Sequence, residues 1–132
     1  MAYVLNAAGN PMAIAERETA VAANIQFTTF TTCCGVVVLQ GGMLTAVHLA
    51  MRAADNGLFD IVAAGTVLAA LPGGYTRSMM IGHLGMWGAA TSGVSAGYLH
   101  LIGALTNLTS YPFGDGTYGA TINGAAIDPT YV

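Results

Sequence analysis

Two apolar runs divided by a pair of glycines are the clearest pattern in the chain: Gly35-Val36-Val37-Val38-Leu39-Gln40, then Gly41-Gly42, then Met43-Leu44-Thr45-Ala46-Val47-His48-Leu49. β-Branched residues favour extended backbone, and glycines supply the positive φ that a two-residue turn needs, so the pattern predicts a β-hairpin. With Gly41 and Gly42 as the turn, Gln40 faces Met43 and, counting outward, Gly35 faces His48. Side chains at i and i+2 share a strand face, which puts Cys33 diagonal to His48 on one face and turns Cys34 to the other.

The flanking patterns predict the remaining elements. Tyr3 to Ala7 reads as a short strand, Gly9-Asn10-Pro11 as a turn, and Met12 to about Ala23 as a helix whose wet face carries Arg17 between Glu16 and Glu18. Thr, Phe and Ile enrichment makes Gln26 to Thr32 a strand. After a turn at Ala53-Ala54-Asp55-Asn56-Gly57, the helical spacing of Ile61, Val62, Ala64, Gly65, Leu68 and Ala69 predicts a helix over Leu58 to Leu71, stopped by Pro72-Gly73-Gly74. Alternation predicts two further strands, Arg77 to Trp87 and Ser95 to Leu108, joined at Thr91-Ser92-Gly93. The tail reads as a turn at Pro112 to Gly116, a short strand around Tyr118 to Ile122, and a loose end at Asp128-Pro129. Together these predict an α+β fold, a mostly antiparallel sheet with helices packed on one face as a single layer pair, in one domain over residues 1–132.

Composition narrows the function classes. Of 132 residues only 7% are charged and 55% are hydrophobic, whereas an ordinary soluble domain carries about 25% charged residues. Such a surface calls for a cover, and a homo-oligomer or a partner is the first candidate. The net charge is −3 with no lysine, and the strong cations are Arg17, Arg52 and Arg77, too few and too scattered for nucleic acid. Residues 78–114 hold no Asp, Glu, Lys or Arg, yet they are broken by glycines and carry His83 and His100, so no membrane span is expected. Met1-Ala2-Tyr3-Val4 lacks the basic start of a cleavable export signal. Adjacent cysteines cannot form an unstrained disulfide, which makes Cys33 and Cys34 free thiols of a reducing compartment or a reactive site. No nucleotide fingerprint, no CxxC and no HxxxH spacing occurs, so neither cofactor nor metal is expected.

The chemistry on offer is a thiol and an imidazole. A thiol attacks as thiolate, and a nearby histidine can take its proton. Cys33 and His48 are the favoured pair. Thr31, with Thr28 as alternate, is placed to accept from the second imidazole nitrogen, and the Cys34 and Gly35 amides are candidate oxyanion donors.

Thr31-Thr32-Cys33-Cys34-Gly35-Val36-Val37-Val38, with Gly41-Gly42 and Ala46-Val47-His48, resembles the motif of the cytotoxic necrotizing factor catalytic domain, which the chemotaxis deamidase CheD and Burkholderia lethal factor share: small residues before a cysteine, a β-rich run after it, a histidine on the returning strand. The likeness covers about a fifth of the chain. It implies a cysteine-dependent amidohydrolase that converts glutamine side chains of a partner protein to glutamate through a thioester. It also implies a toxin or effector, cytoplasmic in the producing cell and delivered to another cell without a cleavable signal. CheD-type sequences place a threonine six residues before the cysteine, a spacing that here joins Thr28 to Cys34, so either cysteine stays open as nucleophile. The alternative from another class is a non-catalytic protein that self-assembles through an apolar β-rich surface.

Overall fold

The computed structural model describes residues 3–132; Met1 and Ala2, which enter the export-signal reading, lie outside them. The hairpin forms as the glycine pair predicts. β4 (Cys34–Gln40) and β5 (Met43–Leu49) pair antiparallel, Gln40 opposite Met43 and Gly35 opposite His48, and the turn is held by Gly41 at φ 59° and Gly42 at φ 78°. Around this hairpin a six-stranded sheet runs in the order β1-β2-β5-β4-β6-β7, with β1 (Asn6–Ala7), β2 (Glu18–Ala22), β6 (Arg77–Gly82) and β7 (Leu108–Pro112). The pairs β1–β2 and β6–β7 are parallel and the others antiparallel. β4 and β5 are therefore central strands, which explains why their side chains are almost all apolar and buried.

Each face of this sheet carries its own core. Cys34, Val36, Val47, Leu49 and Met80 pack under three helices: α1 (Ile61–Ala70), α2 (Leu84–Gly88) and α3 (Ser95–Ala104), through Ala63, Val67, Trp87, Tyr98 and Leu101. Val37, Leu39, Leu44, Ala46, Met79 and Ile81 on the opposite face pack under Ile14, Phe27, Phe30 and a second, three-stranded sheet of β3 (Asn24–Gln26), β8 (Tyr118–Asn123) and β9 (Ala126–Tyr131). The fold is α+β, mostly antiparallel, with its helices on one face. The small sheet adds a layer on the other face, beyond the single layer pair read from the sequence.

Several elements differ from their expectation. The helix predicted over Met12 to Ala23 is absent: the chain turns at Pro11-Met12 and again at Glu16-Arg17 and then enters β2, because Thr19 to Ala22 find ladder partners in Val47 to Leu44 of β5. The strand predicted over Ser95 to Leu108 is helix α3. Every other residue there is apolar, but so are Val94, Tyr98, Leu101 and Leu105, and it is this helical set that is buried while Leu99 is 57% exposed. Gly97 permits the packing, since a Cβ there would stand 2.7 Å from the Asp60 carbonyl oxygen at the start of α1. The strand begun at Arg77 stops at Gly82, whose φ of 117° ends the pairing, and α2 follows. The tail is no loose end, because β9 pairs with β8 from Tyr131 opposite Tyr118 to Ala126 opposite Asn123. Only α1 matches a predicted helix; Asp60 caps it by accepting from the Ala63 amide at 2.8 Å. Among the described residues no helix is long and apolar enough to cross a membrane.

Candidate active site

His48 sits on the face of β5 that also carries Leu44 and Ala46, fully buried under the small-sheet side. The rings of Phe30 and Phe27 meet it edge-on at 4.9 and 5.7 Å. The strand register makes room for this: Gly35 stands opposite His48, and a Cβ on it would lie 2.4 Å from Phe27 Cζ. The glycine of the motif thus admits an aromatic wall for the imidazole.

The imidazole is oriented by backbone. Its Nδ1 lies 2.7 Å from the Ile14 carbonyl oxygen, and a carbonyl can only accept, so Nδ1 carries the proton. The Thr28 hydroxyl is a second, longer neighbour of Nδ1 at 3.4 Å. Nε2 then bears the lone pair, and it is buried without a hydrogen-bond partner. Burial is the chief influence on this histidine and lowers its pKa below the ordinary 6.5, outweighing the Ile14 carbonyl, Glu16 and Glu18, so the ring is neutral at pH 7. The Ile14 carbonyl is itself fixed, accepting the Thr28 amide at 2.9 Å while the Ile14 amide donates to Gln26 at 2.9 Å.

The two cysteines part company as the hairpin count predicts. Cys34 opens β4 and belongs to the helix-side core, fully buried, its thiol held well above its usual pKa by that burial. Cys33 belongs to the core that surrounds His48. Its thiol donates to Glu16 Oε1 at 3.4 Å. Burial first, then the Glu16 carboxylate, pushes the Cys33 pKa up to about 12; the Thr32 hydroxyl and amide act on the sulfur in the opposite sense. The resting thiol is therefore protonated, and His48 is not among the groups that act on it.

Two other assignments move. Thr31 is exposed and makes none of the hydrogen bonds to the imidazole, a place taken by the Ile14 carbonyl and, at longer range, Thr28. The Cys34 and Gly35 amides belong to a strand flanked on both edges, by Leu49 and Gly82 for Cys34 and by His48 and Ile81 for Gly35, so the ladders engage them. Thr32, whose carbonyl accepts the Trp87 indole N–H at 2.8 Å, is the residue whose amide and hydroxyl face the sulfur.

Sequence reasoning missed three participants. The Ile14 carbonyl gives no side-chain signal, and Glu16 was read as the wet face of a helix. His83, read from the sequence as a residue of a strand, pairs through Nε2 with Asp115 at 2.7 Å, and its amide donates to the Cys33 carbonyl at 3.2 Å. His100 is exposed on α3. Among the described residues no three His, Cys, Asp or Glu side chains converge as a metal ion requires. Comparison of the chain with known protein families, curated proteins and solved structures finds no match in any of the three.

Proposed function

We propose that the protein is a cysteine-dependent amidohydrolase that deamidates glutamine side chains of a partner protein, with Cys33 as nucleophile and His48 as base. One observation carries the reading: a neutral imidazole locked by the Ile14 carbonyl, with an unpartnered buried Nε2 lone pair, on the face that Cys33 shares. A buried histidine left half-satisfied costs stability, on the order of 1–3 kcal/mol for the lone acceptor, and a base awaiting a proton accounts for that cost.

The chemistry follows from the atoms available. The step requires the Cys33 thiol, which rests on Glu16 Oε1, to turn about its Cα–Cβ bond to reach His48. Nε2 accepts the thiol proton and the sulfur bonds to the glutamine carboxamide carbon. Thr32 donors stabilise the oxyanion. The carbon–nitrogen bond then breaks, ammonia leaving with the proton from Nε2. Water, giving its proton to Nε2, adds to the thioester; the carbon–sulfur bond breaks, glutamate departs and the thiol recovers its proton. Two unpaired thiols suit a reducing cytoplasm, and delivery into another cell is the setting the toxin-like motif suggests.

The test is loss of the activity by position. Purified protein incubated with a mixture of cytosolic proteins should release ammonia and add about one dalton to glutamine peptides, with Cys33→Ala and His48→Ala lowering the rate by about a thousandfold or more. Undiminished release from both variants would overturn the proposal.

A second reading rests on Leu58, Ile61 and Val62, exposed at the start of α1: self-association through this helical face would bury them in a non-catalytic assembly. Sedimentation distinguishes the two, since a monomer that loses deamidation with Cys33 is the enzyme and a closed assembly with inert thiols is not.

A further inference from the structure

The surface beside Cys33 has a definite chemistry. A cleft of about 460 Å³ opens there, lined among others by Glu16, Arg17, Thr32, Ala50, Arg52 and Asn56. Glu16 accepts from the Cys33 thiol and Thr32 precedes it, so this cleft leads to the proposed nucleophile. Two of the three strong cations of a chain with net charge −3 stand here, while the third, Arg77, lies on β6. The concentration is local.

Both guanidinium groups are set in place and underused. Arg17 has a left-handed backbone, φ 59°, and its amide donates to the His48 carbonyl at 2.8 Å. Its Nη1 donates to the Arg52 carbonyl at 3.0 Å, and Arg52 Nη1 donates to the Asn56 carbonyl at 2.8 Å. A guanidinium has five N–H donors, and in both residues the Nε and Nη2 edge, which matches a carboxylate, has no partner among the described residues. The carboxylate near Arg17 is Glu16, at 3.6 Å, too far for a hydrogen bond and with its other oxygen on Cys33.

We propose that this cleft docks an acidic segment of the partner protein: a carboxylate close in sequence to the reactive glutamine seats on Arg17 and Arg52, while Glu16 swings off the Cys33 thiol to admit the carboxamide. The glutamine rests on the amidohydrolase reading; the docking needs only the cleft. Polyphosphate is the poorer occupant, because Glu16 and the negative charge of the whole chain oppose it.

The experiment uses the full chain carrying Cys33→Ala, which binds without turnover. Fluorescence anisotropy compares a labelled peptide whose central glutamine is flanked by glutamates with the same peptide flanked by asparagines, and with a single-stranded oligonucleotide. The acidic peptide should bind about fivefold to tenfold tighter than the neutral one, the worth of a charge-assisted bidentate contact at a partly exposed site. That preference should shrink with added salt. Arg52→Gln should erase it and Arg52→Lys should keep part of it; Arg17→Gln gives the same answer should Arg52→Gln fail to fold. Equal binding of the peptides, no binding, a preference that survives the arginine changes, or tighter binding of the oligonucleotide overturns the proposal. Lack of deamidation by the unaltered protein would remove the enzyme and leave the docking preference standing, whereas deamidation without that preference removes the docking alone.

Discussion

At the scale of single residues the account turns on what surrounds one sulfur and one imidazole. Burial and Glu16 together keep the Cys33 thiol protonated, so iodoacetamide should leave it unmodified at neutral pH. Glu16→Gln retains an acceptor but removes the charge, and should speed alkylation at pH 8 by about tenfold, the effect of a thiol one pH unit easier to ionise. An unchanged rate would show that the carboxylate does not govern the sulfur. His48 makes a prediction of the same kind for stability. Its folded pKa lies below 6.5, so as pH falls through 6.5 the unfolded chain takes up a proton that the folded imidazole resists. The contribution is present above pH 6.5 and is lost as pH drops toward the lowered folded value. Thermal melts between pH 7.5 and 5 should therefore show a fall in Tm toward acid that His48→Gln reduces, and equal slopes for both proteins would contradict the assignment. Cys34 answers differently: on the helix-side core, Cys34→Ser buries a hydroxyl in place of a thiol and should cost about 1–3 kcal/mol in denaturant unfolding while sparing activity.

At the scale of elements, close approaches written into glycines decide the packing. Gly119 on β8 lies so near the β3 backbone that a Cβ would stand 2.2 Å from the Ile25 carbonyl oxygen. A backbone atom cannot swing aside as a side chain can, so Gly119→Ala should separate β3 from β8 and cost about 2–3 kcal/mol or more in chemical denaturation. A wild-type midpoint would contradict the β3–β8 register. The legible elements were those whose signal is local and unopposed: the Gly41-Gly42 turn, which sets the whole β4–β5 register, and α1, with Asp60 ahead of it and Pro72 behind. Ser95 to Ala104 was not legible, because apolar residues at nearly every position satisfy a period of two as well as 3.6, and only packing on Asp60 and Phe59 selects the helix. The stretch from Met12 to Ala23 misled for the opposite reason. Its charges suggest a wet helical face, but pairing of Thr19 to Ala22 with β5, a long-range contact, overrides local preference. The same error concealed the site, since a helix there would have removed the Ile14 carbonyl from His48 and Glu16 from Cys33.

At the scale of the molecule, the six-stranded sheet separates two cores and sorts the adjacent cysteines between them, Cys34 into the helix-side core and Cys33 into the core on the small-sheet side. Only the second thiol lies on the side of the sheet that holds His48, the proposed base, and bonds to Glu16 in the lining of the cleft, so the proposed function should divide along the same plane. The direct measurement is intact-peptide mass spectrometry of glutamine deamidation by the unaltered protein, Cys33→Ala, Cys34→Ala and His48→Ala, each verified as folded. The account predicts a gain of about one dalton with the unaltered protein and Cys34→Ala, and none with Cys33→Ala or His48→Ala. Deamidation that persists without Cys33, or that vanishes with Cys34 alone, would contradict it.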